Sequence, residues 1–81
     1  MIVLKKVEFY KNIADNISAE IARAGMSEAA FARKIGTTPK ALYVFLNNMK
    51  NGKKGGQLSK IYDIGVGLGK DPAIFFENHV N

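Results

Sequence analysis

Residues 5–24 place Val7, Tyr10, Ile13, Ile17, Ile21 and Ala24 at three- and four-residue steps, with Lys11, Asp15 and Arg23 elsewhere on the same stretch. That period marks one apolar face of an α-helix, and Gly25 follows where such a helix stops. A helix from about residue 6 is expected. The first ten residues are rich in β-branched and aromatic side chains, so an extended arm is the alternative, with Asn12 capping a shorter helix. Ser27 can then accept the free amides of a new helix, and Glu28 sits where the positive end of its dipole favours an anion. Phe31, Ala32 and Ile35 recur at helical spacing, and Gly36 supplies the left-handed residue that ends the helix near Ile35. Thr37 and Thr38 fill a turn. Thr38 before Pro39 is a cap followed by a residue whose fixed φ and missing N–H suit the first helical position, so a further helix opens there.

In that helix Leu42, Phe45, Leu46 and Met49 fall on one side, and Pro39, Lys40, Tyr43 and Asn47 fall on the other. One side is core and the other is free to touch something. Residues 49–57 are a loop of glycines and lysines that cannot pack a core. Leu58, Ile61, Ile64, Gly65 and Leu68 give another helical stripe, stopped by Gly69, and Asp71-Pro72 repeats the cap-then-proline syntax to open a short last helix through Phe76. The expected fold is all-α: one domain over residues 1–81, a compact bundle of about five short helices, with the pair at about 27–48, the basic loop at 49–57 and the C-terminal helices at 58–77.

The run GMSEAAFARKIGTTPKALYVFLNN resembles the lambda-repressor/Cro-like, or XRE-type, helix-turn-helix DNA-binding domains. The matching features are a small residue, Ala32, inside the first helix, Gly36 in the turn and an aliphatic, Leu42, inside the second. Each has a mechanical reason: Ala32 admits the neighbouring helix, Gly36 permits the corner, and Leu42 plugs the angle between the helices. Leu58, Ile61, Ile64, Leu68, Gly69, Asp71, Pro72 and Phe75 extend the likeness over most of residues 9–77. The resemblance implies a transcriptional regulator, often a repressor, that occupies an operator on double-stranded DNA as a homodimer. Carried over by position, Lys40 and Tyr43 fall on base-reading sites, with Pro39 and Thr38 beside them, and Asn47 falls on a phosphate-contacting site. Asn48, Lys34, Lys50, Lys53 and Lys54 are further candidates for phosphate. Two residues depart from the pattern: Glu28 stands where many relatives carry a phosphate-binding Gln, and Pro39 stands where Gln or Ser is common, which moves specificity toward Lys40 and Tyr43.

Charge sharpens this picture. The net charge is +5, yet Arg33, Lys34, Lys40, Lys50, Lys53, Lys54 and Lys60 lie between Glu28 and Asp63 with no carboxylate among them, so that segment carries +7 and the remainder −2. A polyanion suits such a segment better than an evenly solvated surface does. The loop lysines can track a phosphate backbone, or simply solubilise a connector.

What is missing also narrows the choice. The chain has no Cys and one His, His79, so a thiolate zinc site is not available and His79 has no Cys, second His or convergent acid cluster to work with, and no enzyme activity, metal or cofactor is expected. The apolar run at residues 1–4 is broken by Lys5 and Lys6, too short for a signal-peptide core or a membrane span, so a cytoplasmic protein without a membrane partner is expected. GVGLGK at residues 65–70 has the look of a phosphate cradle, but a helix rather than a strand precedes it, so Gly65 and Gly67 read as close-packing positions. Phe75 and Phe76 are adjacent and cannot both face one core from a helix, which makes them a candidate dimer contact unless both tuck inward. The competing class is a protein-interaction module, such as an antitoxin or coactivator, whose main contacts are to another protein.

Overall fold

The computed structural model describes residues 6–52 and 58–76, with the side chains of residues 8 onward in the first helix. Among these residues four α-helices and one 3-10 segment make up the regular structure: α1 (Lys6–Arg23), α2 (Glu28–Lys34), α3 (Pro39–Lys50), α4 (Leu58–Leu68) and the 3-10 segment Pro72–Phe76. Of the extended arm considered for the first ten residues, residues 6–10 are instead the first turns of α1, while residues 1–5 and the side chain of Val7 lie outside the described residues. None of the helices is long and apolar enough to cross a membrane.

The predicted stripes become one core. Ile13, Ala14, Ile17 and Ile21 of α1 are buried together with Phe31 and Ala32 of α2, Leu42, Leu46 and Met49 of α3, Ile61 and Ile64 of α4, and Phe75. The long α1 packs against all the other elements. Among the described residues one buried polar side chain joins two of them, for Asn16 Nδ2 donates a hydrogen bond of 2.9 Å to the Phe75 carbonyl. That carbonyl belongs to a segment too short to complete its own helical ladder, so the bond satisfies a buried acceptor the local structure leaves open.

The helix ends are set by local chemistry. α1, α2 and α4 all finish in the same way, at Gly25, Gly36 and Gly69, each with positive φ. At α2 the Thr37 amide reaches back to Ala32 O at 2.9 Å and the Gly36 amide to Arg33 O at 3.2 Å, the paired bonds of a Schellman stop. α3 then starts at once, with Thr38 Oγ1 accepting from Ala41 N at 3.1 Å and Pro39 at the first helical position. The chain reverses direction within a few residues because both caps are satisfied there.

Four details depart from the sequence reading. The loop expected at 49–57 begins later, because α3 runs through Lys50 and buries Met49 in the core at 1% exposure. Leu58, placed on the inner stripe of α4, is the first residue of that helix and is 73% exposed. Ala24, placed at the end of the inner stripe of α1, lies beyond the helix and is exposed. The last element is 3-10 rather than α: Asp71 Oδ1 accepts from Ala73 N, the Asp71 carbonyl accepts from Ile74 N at 3.1 Å, and five residues are too few to nucleate an α-helix.

Gly65 and Gly67 do mark close packing. A methyl group at Gly65 would stand 2.6 Å from Pro72 Cγ and 3.1 Å from Pro72 Cα, and one at Gly67 would collide with Ile35 Cγ2 and press on the Phe31 ring. In an open helix Gly→Ala stabilises by about 1 kcal/mol. Here Gly65→Ala is expected to destabilise instead, by roughly 1–3 kcal/mol, because the obstacle is a rigid ring on fixed backbone. Urea unfolding of the variant beside the parent chain checks the sign.

Candidate nucleic-acid interface

α3 presents its apolar residues to the core and a polar face to solvent. Leu42, Leu46 and Met49 are nearly inaccessible, and Phe45 is partly covered. On the opposite side Lys40, Tyr43 and Asn47 are all exposed, Tyr43 at 63%. They lie at three- and four-residue steps, so the three project from one side over a rise of about 10 Å. Val44, 44% exposed, stands between them on the same face. The sequence reading missed it, although its position four after Lys40 and three before Asn47 was the available signal.

The flanking candidates are placed less uniformly. Thr38 is exposed, its oxygen already capping α3, which leaves the hydroxyl proton as the group it can offer. Pro39 is half-buried. Asn48 is half-buried, as is Lys50 in the last turn. Lys34, at the end of α2, is exposed beside Arg33. Lys53 and Lys54 lie outside the described residues, as do His79 and the end of the chain, where helix or strand was left open. Glu28 is exposed in the first turn of α2 and has no ion-pair partner among the described residues, where Lys11–Asp15, Arg23–Glu20 and Lys70–Glu20 are the pairs formed.

Ala32, Gly36 and Leu42 behave as the joint between α2 and α3. Ala32 is fully buried, Leu42 is 4% exposed, and Gly36 carries φ +80° at the corner. A larger side chain at residue 32 would push the two helices apart.

The paired phenylalanines separate. Phe75 is fully buried, so it is core and not a dimer contact, which corrects half of that expectation. Phe76 is 40% exposed and its ring lies 6.5 Å from that of Phe9, also 40% exposed. The cause is the one anticipated: neighbouring residues on a tight helical segment point in different directions.

Behind the outer face a cleft of about 180 Å³ separates the α2–α3 turn and α3 from α4. Ile35, Leu42, Phe45 and Ile64 line it, and Lys60 closes its rim with Nζ 5.5 Å from the centre of the Phe45 ring, a cation–π contact. Its lining is mostly apolar and too small for a nucleotide. Among the described residues no three of His, Cys, Asp and Glu come together as a metal-holding group.

Because the outer face of α3 takes no part in the core, its removal should leave stability untouched. Lys40→Ala and Tyr43→Ala are each expected to shift the unfolding free energy by no more than about 0.5 kcal/mol, whereas Leu42→Ala should cost about 2–5 kcal/mol. Thermal denaturation followed by circular dichroism distinguishes the two classes. Comparison of the chain with family models, with curated proteins and with solved structures found no match.

Proposed function

We propose that this protein binds duplex DNA with sequence preference and regulates transcription by occupying an operator. The observation that carries the reading is the outer face of α3, where Lys40, Tyr43, Val44 and Asn47 are exposed on a helix whose other side is anchored in the core. An α-helix fits the major groove, and these four side chains have the right chemistry for its floor and walls. Lys40 offers donors for guanine N7 and O6. Tyr43 can donate its hydroxyl or lie against a thymine methyl, and Val44 adds an apolar contact of the second kind. Asn47, Lys34 and Lys50 suit phosphate oxygens, which position the protein without reading sequence.

The lambda-repressor-like arrangement is part of this proposal, resting on Ala32, Gly36 and Leu42 at the joint and on the short capped turn between α2 and α3. Glu28 fits only if the first turn of α2 stands off the phosphates. The +7 segment supports the same partner, since it concentrates cations around α3 while the remainder of the chain is slightly acidic.

Selection of bound sequences from a random duplex pool is the direct experiment, and an enriched motif is expected. If one copy neutralises about four phosphates, its affinity should fall roughly 100-fold between 50 and 200 mM salt. Lys40→Ala should relax preference at one base pair at a cost of about 1–3 kcal/mol, whereas Lys34→Ala should weaken all sequences alike and flatten the salt dependence by about one ion. Failure to retard any duplex at moderate salt, together with a tight complex with an acidic protein, would replace this reading by that of a protein-interaction module.

A further inference from the structure

The cleft behind α3 has no part in the proposed function, and its lining is of two kinds. Ile35, Leu42, Phe45 and Ile64 make an apolar floor, while Lys60 and Asp63 of α4 stand exposed at its edge. We infer that this cleft is a binding site for a free α-amino acid with an apolar side chain of leucine to phenylalanine size. The side chain lies on the floor, the carboxylate meets Lys60 and the ammonium meets Asp63.

The floor sets the size. An enclosed apolar cavity of about 150 Å³ lined by Leu, Ile and Phe takes up a benzene ring. The cleft offers about 180 Å³ between side chains of the same kinds, so a single ring or a branched aliphatic chain suits it. There is also surface left to cover. Leu42 and Ile64 are already enclosed by the protein, but Ile35 and Phe45 are only partly buried and lose further apolar surface to water-free contact when a ligand enters.

The rim sets the head group. Lys60 and Asp63 are three residues apart on α4 and so share one side of the helix. They are nonetheless not paired with each other: the ion pairs among the described residues are Lys11–Asp15, Arg23–Glu20 and Lys70–Glu20, and the Lys60 ammonium lies instead over the Phe45 ring. An apolar carboxylate entering the cleft gains Lys60 but is repelled by Asp63, and an apolar amine gains Asp63 but is repelled by Lys60. Only a molecule with both charges beside one apolar group gains both attractions, which is the chemistry of a free α-amino acid. A residue within a peptide lacks at least one of the two charges. Both rim groups are exposed, so each contact is screened by water and changes affinity by only a few-fold. A ligand of about a dozen non-hydrogen atoms held in this way has a Kd on the order of 1 mM.

The test is an NMR titration of the intact, isotope-labelled chain with L-phenylalanine and L-leucine up to about 20 mM. Saturable amide shifts are expected at Gly36, Thr37, Ala41, Lys60 and Asp63, all of which line the cleft. Hydrocinnamate, which lacks the ammonium, and phenethylamine, which lacks the carboxylate, should each bind at least about threefold more weakly than phenylalanine. Asp63→Lys should reverse that order for hydrocinnamate, which then meets two cations and binds more tightly than phenylalanine. Ala41→Leu should fill the cleft and abolish the shifts at Lys60 and Asp63 with unchanged circular dichroism; should that variant fail to fold, the reversal at exposed Asp63 still decides. The absence of saturable shifts at the cleft, or equal affinity for the three ring-bearing ligands, overturns the inference. The site does not depend on the proposed function: an amino acid bound in the cleft of a chain that retards no duplex supports the site and removes that function, so the two failures are distinguishable.

Discussion

The structure depends on the burial of one face of α1. Ile13, Ala14, Ile17 and Ile21 make a continuous apolar strip against which the other elements lean, and no other helix is long enough to serve all of them. The short helices gain little from their own backbone bonds, because nucleating a turn costs more than one or two turns return. α2, with seven residues, and the five-residue 3-10 segment hold their shape because Phe31 and Phe75 are fully enclosed against that strip. Asn16 adds direction to an otherwise non-directional contact, since its amide fixes where the Phe75 carbonyl must lie.

The pose of α3 follows from that arrangement. Its inner residues are gripped by α1 and α2, and its first turn is fixed by the Gly36 corner and the Thr38 cap. A rigid inner face frees the outer one to carry side chains chosen for something other than packing. This division explains how Lys40, Tyr43, Val44 and Asn47 sit side by side in solvent on a helix of twelve residues. Rigid presentation matters for recognition, because a side chain already oriented loses less entropy on contact.

α4 is attached differently. It is drawn close at two glycines, to Pro72 by Gly65 and to Ile35 and Phe31 by Gly67, while an open cleft separates it from α3. The close approach buries Ile61 and Ile64 but leaves Leu58, Tyr62 and Val66 exposed.

Much of this was legible in the residues themselves. Ser27, Thr38-Pro39, Gly25, Gly36 and Gly69 fixed the helix boundaries, because caps and left-handed stops act within a few residues and need no tertiary partner. The spacing of Ile13, Ile17, Ile21, Leu42, Leu46 and Met49 identified the inner faces for the same local reason, and the polar face of α3 came with them. The sequence could not decide which apolar residues of α4 would find a partner, which of Phe75 and Phe76 would be enclosed, or how Pro72–Phe76 would coil. Those outcomes turn on where α4 and the 3-10 segment meet α1 and α2, contacts between residues far apart in the chain, and on the two glycines that let the backbones come within touching distance. Local chemistry wrote the elements and their faces, whereas the approach distances between elements selected which face became core and which became surface.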